Sequence, residues 1–247
     1  MALLSFHNVV CRRGGSVVLD GLSFEVSEGE TLVLLGRSGS GKTTALRLIN
    51  RLLEFDSGEI VFEGRDLRSH DAIALRRRIG YVIQEVGLLP HWTIGRNVAL
   101  VPQLQQWPKE RTDARVYELL EQVELPSREY ALRYPHELSG GQRQRVGVAR
   151  ALAANPALLL FDEPFGALDP ITRYGMQQQF LKLREQYRTP SVFVTHDVAE
   201  ALRLGTHIAV LDQGHLELLA LRDEFVSAQT PVARAFLDTL PKPDDLR

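Results

Sequence analysis

The sequence predicts an α/β fold with a parallel sheet at its core, an antiparallel β subdomain at the N-terminus and a helical subdomain inserted in the core. Several short runs are almost wholly apolar, which is typical of strands buried on both faces of a parallel sheet. Two segments of alternating polarity precede these runs. About seventy residues without a strand pattern separate the second run from the third.

The chain opens with the two alternating segments, Leu3 to Val10 and Val17 to Val26, which are separated by Cys-Arg-Arg-Gly-Gly. Alternation with a period of two indicates strands, and the glycine pair favours a turn between them, so we expect an antiparallel ribbon. Cys11 is the single cysteine, which permits no internal disulfide, and we interpret it as a small buried residue.

Four runs have the composition of buried parallel strands: Thr31–Gly36, Ile79–Gln84, Ala157–Glu163 and Ser191–His196. Ligands of open parallel sheets bind beyond the carboxyl ends of the strands. The residues at these ends are therefore expected to converge on one crevice, namely Gly36, Gln84, Asp162, Glu163 and His196.

Helical patterns fill most of the remaining chain, at Asn97–Leu104, Lys109–Val123, Gly140–Ala154, Val198–Leu204 and Pro231–Leu240. Prolines separate the first three, which we assign to a helical subdomain over about residues 86–155. A strand pair is expected around Gln213 and Gly214, and residues 241–247 are expected to form a frayed tail.

Composition excludes several function classes. The chain has 247 residues, with 29 Lys and Arg against 31 Asp and Glu, so no global field draws it to nucleic acid or anionic lipid. Its apolar runs are far shorter than the roughly 20 residues that cross a bilayer. The N-terminus lacks the features of a signal peptide, which favours a cytoplasmic location.

Residues 36–43 read Gly-Arg-Ser-Gly-Ser-Gly-Lys-Thr, a phosphate-binding pattern placed between a predicted strand and a predicted helix. Its glycines let backbone amides approach phosphates, Lys42 supplies a positive charge, and the Thr43 hydroxyl can bind Mg²⁺. A chance glycine-rich turn is the alternative, but the strand-loop-helix context favours a phosphate site. The candidate binding residues are Gly36, Arg37, Ser38, Gly39, Ser40, Gly41, Lys42, Thr43 and Thr44.

Asp162 and Glu163 follow a buried strand. The first suits a Mg²⁺ shell, and the second suits polarising an attacking water in a phosphoryl transfer. Acidic residues at a strand end are often only solvated, but their occurrence together with a phosphate loop favours the catalytic interpretation.

Residues 138–142, Leu-Ser-Gly-Gly-Gln, open a predicted helix. Ser139 is a good N-cap, and Gly140 and Gly141 expose amides at the positive end of that helix, so the segment is a second candidate anion site. An ordinary capped helix is the open alternative.

Taken in order, the phosphate loop, Gln84, the segment from Leu138 to Gln142, the Asp162-Glu163 pair, Asp169 and His196 resemble the nucleotide-binding domain of an ABC ATPase. The resemblance implies that residues 1–240 form one nucleotide-binding domain, built on a P-loop NTPase (RecA-like) core. It also implies ATP and Mg²⁺ as cofactors and a head-to-tail dimer with ATP held between the phosphate loop of one subunit and Ser139–Gln142 of the other.

The same resemblance implies a role for each site residue. Glu163 is then the catalytic base, Asp162 and Thr43 are metal ligands, and His196 is the switch histidine that contacts the γ-phosphate. Gln84 is the lid glutamine at the membrane-domain contact and a further metal ligand, and Asp169 is an inter-subunit residue.

One position departs from the family pattern. An aromatic residue usually stacks on adenine in the first hairpin, and the matching position here is Arg13. A guanidinium also stacks on a base face, and solvation of Arg13 is the open alternative.

A finer resemblance covers Tyr81–Trp107 and Asp162–Arg173, which are similar to the ATPase subunits of osmoprotectant importers. It implies uptake of glycine betaine, choline or carnitine through a separate permease with a solute-binding protein, on the inner face of the cell membrane. The apolar residues between Glu85 and Trp92 are expected to dock the permease, with internal packing as the alternative.

Three other functions remain to be weighed. An importer ATPase for another small polar solute fits the same motifs. A soluble ABC ATPase acting on nucleic acid is disfavoured, because the chain has no charge block and no heptad run. A phosphotransferase leaves Glu163 and the Leu138–Gln142 segment without a role.

Overall fold

The computed structural model describes residues 2–84 and 86–241 and has the mixed α/β character that the sequence predicts. Its strands are β1 (Ala2–Arg13), β2 (Ser16–Ser27), β3 (Thr31–Gly36), β4 (Ser57–Phe62), β5 (Arg65–Asp66), β6 (Ile79–Val82), β7 (Leu158–Asp162), β8 (Ser191–Thr195), β9 (His207–Asp212) and β10 (His215–Leu221). Its helices are α1 (Lys42–Ile49), α2 (Ala72–Arg78), α3 (Ile94–Val98), α4 (Leu100–Leu104), α5 (Lys109–Gln122), α6 (Ser127–Tyr130), α7 (Gly140–Leu152), α8 (Pro170–Tyr187), α9 (Val198–Leu204), α10 (Arg222–Phe225) and α11 (Pro231–Leu237).

The chain divides into two units. The first consists of residues up to 72 together with those from 190 onward, and the second consists of residues 73–189. The predicted helical subdomain, residues 86–155, lies within the second unit. Glu85 of the predicted docking segment, and all of the predicted tail except Pro241, lie outside the described residues.

The N-terminal sheet of the first unit has the strand order β2-β1-β4-β5 and is antiparallel throughout. Phe6 of β1 and Phe24 of β2 lie opposite each other, and their rings stack with centroids 4.4 Å apart. Such cross-strand pairs stabilise a hairpin by burying one face of it. The expected ribbon is confirmed, and β4 adds a third strand that the sequence pattern did not predict.

Cys11 is fully buried in β1, where its thiol donates to the carbonyl oxygen of Glu54 at 3.8 Å. Burial raises the pKa of the Cys11 thiol. The interpretation of Cys11 as a small buried residue is confirmed.

The second sheet of the first unit places β3 between β8 and β9, with both pairings parallel, and β10 pairs antiparallel with β9. Every residue of β3 and of β8 is buried, which explains the apolar character of both runs. Leu35 of β3 pairs with Thr195 of β8. The phosphate loop and His196, which follow these residues, therefore leave the sheet at the same edge.

The second unit contains the parallel pair β6 and β7, in which Tyr81 lies opposite Leu160. Helix α7 contacts β6, α3, α5 and α8. Its residues Val146, Gly147 and Ala149 are buried, so α7 is the central helix of this unit.

Several element ends differ from the predicted ones. Strands β6, β7 and β8 end at Val82, Asp162 and Thr195, which is one or two residues before the ends of the predicted runs. Glu163, for example, has a φ of +45°, which a strand cannot accommodate. The predicted helix 97–104 is two helices, α3 and α4, and helices α5, α7 and α11 end one to three residues earlier than predicted. Strands β4 and β5 and helices α2, α6, α8 and α10 were not predicted.

Among the helices of the described residues, none combines the length and the apolar character that crossing a membrane requires.

Candidate functional site

The phosphate loop of the first unit turns tightly between β3 and α1. Within it, the amide of Ser40 donates to the carbonyl of Arg37 at 3.2 Å. Gly41, the residue before α1, has a φ of +100°, and a Cβ at this position would lie 2.5 Å from a methyl group of Leu19. Glycine is therefore the residue that this turn accommodates.

Lys42 supplies the loop with a fixed positive charge. Its side chain is only 4 % exposed, and its ammonium donates to the carbonyl oxygens of Gly36 at 2.7 Å and Arg37 at 2.8 Å. These bonds hold the cation at the positive end of α1, while Arg37, Ser38 and Gly39 are exposed to solvent. The loop is thus preorganised to receive an anion such as a phosphate group.

The remaining residues of the loop lie at the start of α1. Ser40 is buried, whereas Thr43 and Thr44 are half-buried in the first turn of the helix. The hydroxyl of Thr43 is thus part of the same helix end as Lys42.

His196 lies between the buried end of β8 and the start of α9, and it is exposed. The next residue, Asp197, donates its amide to the Thr195 hydroxyl at 3.0 Å and caps α9 through the amides of Ala199 and Glu200. The backbone on both sides of His196 is fixed by these bonds, so its position at the sheet edge is well defined.

In the second unit, Asp162 ends β7 and Glu163 begins a turn, and both are half-buried. The left-handed backbone of Glu163 redirects the chain away from the strand, and the amide of Gly166 closes the turn on the Glu163 carbonyl at 3.2 Å. The phenol of Tyr81 donates to Oδ2 of Asp162 at 3.2 Å. Tyr81 was not among the predicted site residues, because its contact depends on the register of β6 against β7.

Ser139 begins α7 in a capping box. Its hydroxyl accepts from the amide of Gln142 at 3.3 Å, and the Gln142 side chain accepts from the amide of Ser139 at 2.9 Å. The side-chain nitrogen of Gln142 also donates to the Tyr130 hydroxyl at 2.9 Å. The predicted N-cap is confirmed, and the side chain of Gln142 works as part of that cap.

Gly140 is exposed at this helix end, whereas Gly141 is buried. A Cβ on Gly141 would lie 2.6 Å from a methyl group of Thr172 in α8. The exposed backbone of the segment is therefore concentrated at Ser139 and Gly140.

Asp169 caps α8. One of its carboxylate oxygens accepts from the amides of Ile171 and Thr172, both at 3.1 Å. Hydrogen bonding, chiefly with Thr172, lowers the pKa of the Asp169 carboxyl. The side chain is exposed, so Asp169 can cap α8 and still contact another molecule.

A cleft of about 410 Å³ within the second unit brings several of these segments together. Exposed Gln84 lines it beside Leu88, and Gly140, Arg143 and Gln144 of α7 line it with Leu168. Gln84 and the start of α7 therefore share one cleft, whereas the convergence of Gln84 with Asp162 and Glu163 on one crevice stays a prediction.

A family model described as ABC transporter matches residues 19–166, which is more than half of the chain. The chain belongs to the ABC transporter family. Two curated relatives match a longer part of the chain than the family model does. The chain is 50 % identical over 214 residues to the glycine betaine uptake system ATP-binding protein YehX of Escherichia coli, covering 87 % of this chain and 69 % of the relative. It is 48 % identical over 214 residues to the glycine betaine/carnitine/choline transport ATP-binding protein OpuCA of Bacillus subtilis.

The match to OpuCA covers 87 % of this chain but only 56 % of the relative, so the chain spans little more than half of that protein. Among solved structures, the chain resembles the ATP-binding cassette MJ0796 in a dimeric post-hydrolysis state bound to ADP and phosphate. That likeness has a TM-score of 0.78 and 34 % identity and covers 89 % of this chain and 98 % of the cassette. The chain is thus a nucleotide-binding ATPase of the ABC type.

Arg13 of this ABC cassette is exposed at the turn between β1 and β2. Its guanidinium donates to the carbonyl oxygens of Arg12 at 3.0 Å and Glu54 at 2.5 Å. These bonds fix the side chain on the first unit. Stacking on adenine remains a prediction.

Proposed function

We propose that this chain hydrolyses ATP to drive the import of an osmoprotectant such as glycine betaine, choline or carnitine through a separate permease. The preorganised Lys42 loop is the observation that supports the nucleotide site, because a buried ammonium held by its own loop is ready to bind the β- and γ-phosphates. The transport functions for which YehX and OpuCA are named support the solute class.

In this proposal the phosphates bind the loop from Gly36 to Thr44, and adenine stacks on Arg13. Thr43, Gln84 and Asp162 offer oxygen donors, which are the ligands that Mg²⁺ prefers, so the donor set fits that ion. When bound, the ion neutralises charge on the phosphates. Tyr81 restrains one oxygen of the Asp162 carboxylate through its hydrogen bond, which orients the other.

Hydrolysis then requires a base and a group that contacts the γ-phosphate. Glu163 accepts a proton from the attacking water, and its half-buried position at the end of β7 restricts the directions that its carboxylate can take. His196 contacts the γ-phosphate from the edge of the sheet that also carries the phosphate loop. Gln84 links the nucleotide site to the contact with the permease.

Two subunits share each nucleotide. The phosphate loop of one subunit and the segment Ser139–Gln142 of the partner subunit enclose ATP in a head-to-tail dimer, and Asp169 lies at the interface. The exposed Ser139 and Gly140 support this arrangement, since the positive end of α7 adds further donors for the γ-phosphate. The dimeric state of the MJ0796 cassette agrees with it.

We call residues 86–92 the docking loop. Leu88, Leu89 and Trp92 are half-buried there, while Pro90 and His91 are exposed. Partly exposed apolar side chains in a segment that is neither helix nor strand suit contact with a cytoplasmic segment of the permease. The subunit would then lie on the inner face of the membrane, with the solute-binding protein acting through the permease.

Uptake of labelled glycine betaine and choline, measured beside the ATPase activity of the purified chain, tests this proposal. Changing Leu89 and Trp92 to Ser is expected to abolish uptake and co-purification with the permease, because each lost apolar contact costs about 1.5–3 kcal/mol. The ATPase activity and the melting temperature of the isolated chain are expected to stay unchanged.

A matched control is Leu221→Ser, which removes a partly exposed leucine from β10 of the first unit and is expected to leave uptake intact. Normal uptake by the Leu89 and Trp92 variant would refute the docking loop. Uptake of a different small polar solute in place of both labelled compounds would support the alternative importer.

A further inference from the structure

The docking loop is held by side chains from outside it. Residues 86–92, all of which the structure describes, form no helix or strand of their own. Their shape therefore depends on the elements that bond to their backbone, and two side chains supply most of these bonds.

Arg150, in the last turn of α7, binds the first part of the loop. Its two terminal nitrogens donate to consecutive carbonyl oxygens, at 2.6 Å to Val86 and 2.8 Å to Gly87. A guanidinium presents its donors in a rigid planar fork, so this pair of bonds fixes both distance and direction. Partial burial lowers the pKa of Arg150, but an arginine stays protonated in proteins, so the group is a half-buried cation that two carbonyl dipoles stabilise.

Val86 also sits against the surface of α7 one turn earlier. A Cβ at Gly147 would lie 2.5 Å from a methyl group of Val86, which is closer than real side-chain atoms approach. Only glycine leaves room for the loop at this distance. The helix and the loop therefore interlock sterically as well as by hydrogen bonds.

Asn97 of α3 binds the second part of the loop and is fully buried. Its oxygen accepts from the amide of Leu89 at 2.8 Å, and its nitrogen donates to the carbonyls of Leu89 at 3.1 Å and Trp92 at 3.2 Å. Helix α3 packs in turn on α7. Both parts of the docking loop are thus anchored, directly or through α3, to the same helix.

The opposite end of α7 carries Ser139 and Gly140. The ten residue steps from Gly140 to Arg150 span about 15 Å of regular helix, which moves as a rigid element. We propose that Arg150 is a positioning residue that ties the docking loop to α7, so that a displacement of the loop by the permease shifts Ser139 and Gly140. This inference rests on the proposed function, because the displacement comes from a docked permease.

Arg145 provides a matched control on the same helix. Its guanidinium donates to the carbonyl of Val123 at 2.8 Å and to the carboxylate of Glu124 at 2.6 Å, at the end of α5. It therefore has the same side chain and a backbone acceptor, but it binds a different neighbour. A general loss of stability from removing an α7 arginine would appear in both positions.

The first experiment uses the isolated chain and needs no permease. Hydrogen exchange of the amides in residues 86–92 is measured by mass spectrometry for Arg150→Met, Arg150→Lys and Arg145→Met. We expect exchange to rise about fivefold or more in Arg150→Met, since two backbone acceptors lose their donor, and by less in Arg150→Lys, which keeps one charged donor. Arg145→Met should leave this segment unchanged.

If Arg150→Met fails to fold, the comparison of Arg150→Lys with Arg145→Lys answers the same question. Wild-type exchange in a folded Arg150 variant would overturn the positioning role.

The second experiment uses the chain assembled with the permease that co-purifies with it and the solute-binding protein, with glycine betaine as the probe. The ratio of solute-stimulated to basal ATPase activity is expected to fall about fivefold in Arg150→Lys and to be retained in Arg145→Lys. A retained ratio in Arg150→Lys together with faster exchange would overturn the link to α7. Failure of docking itself is recognised separately, because the Leu89 and Trp92 variant would then keep full stimulation.

Discussion

Helices α1 and α7 both begin at glycines and both present their positive ends as candidate anion sites, but they are built differently. The N-cap of α1 is Gly41, which has no side chain, and buried Lys42 brings a full positive charge that the loop carbonyls hold in place. The N-cap of α7 is Ser139, whose hydroxyl and whose amide are both engaged with Gln142.

This difference separates two tasks. The α1 end carries its own charge, so it is expected to bind a phosphate within a single chain. The α7 end presents neutral donors around a helix dipole, which is worth about 0.3–1 kcal/mol to an exposed anion. It can strengthen the binding of a phosphate that is already held elsewhere. The proposed site shared between subunits would combine the charged α1 end of one subunit with the neutral α7 end of the other.

The largest expected effect comes from Glu163→Gln, which leaves both helix ends intact. Loss of a general base typically lowers the rate by about 10² to 10⁴. ATP should still bind, and an ATP-bound dimer should accumulate on size exclusion, because the phosphates hold the two halves together until hydrolysis. Hydrolysis within a few-fold of wild type would show that Glu163 is not the base.

Lys42→Ala tests the charged end of α1. Removing a charge-assisted contact costs about 1.5–3 kcal/mol, so ATP affinity measured by calorimetry should fall by about 10- to 100-fold. Lys182→Ala, at an exposed position in α8, is the matched control for loss of one positive charge. Unchanged affinity in Lys42→Ala would remove the basis of the comparison.

Substitutions of Ser139 test the neutral end of α7. Ser139→Asp keeps a good N-cap but places a negative charge where the γ-phosphate is expected, so thermal stability should persist while ATPase activity falls about tenfold or more. Ser139→Ala should instead cost about 1 kcal/mol of stability through loss of the cap.

Neither change should alter the ATP affinity of the monomeric chain, as measured by calorimetry under dilute conditions. A loss in Ser139→Asp as large as that in Lys42→Ala would contradict the division of tasks between the two helix ends.

The smallest expected effect concerns a third helix end, at Asp169 of α8. Its folded pKa is lowered by hydrogen bonds with Thr172 and Ile171, so its stabilising contribution is present above the unfolded pKa, near pH 4, and is lost as the pH falls through the folded value. The Asp169→Asn variant keeps a side-chain oxygen that can cap α8, but this side chain does not titrate. The difference in melting temperature between wild type and this variant should therefore shrink below about pH 4, and a difference that does not depend on pH would contradict the role of the carboxylate.

Local motifs were readable from the sequence because they are contiguous. The phosphate loop, the Ser139 cap and strand β3 depend on neighbouring residues, and the structure has them where the sequence predicts. Helix α8 was not predicted because Gln177 and Gln179 are buried beside Phe180, which obscures the apolar period. Strand β4 was missed because its first three residues, Ser57, Gly58 and Glu59, are exposed and none has an apolar side chain that would start a strand pattern.

Contacts between distant residues were not readable at all. The hydrogen bond from Tyr81 to Asp162 joins residues 81 positions apart, and the bonds from Arg150 reach back 63 and 64 positions. Such pairs are set by strand register and by helix packing, neither of which leaves a pattern in a single sequence. The residue types of the candidate site could therefore be read from the sequence, whereas the contacts that support them required the structure.

The burial of Cys11 has a practical consequence for spectroscopy. A thiol with no exposed surface and a raised pKa forms little thiolate, which is the species that reacts with maleimides and disulfide reagents. Since the chain has one cysteine, a second cysteine placed at an exposed position such as His91 becomes the only reactive thiol. Fluorophores or spin labels can then be attached to the docking loop without altering the native sequence of β1.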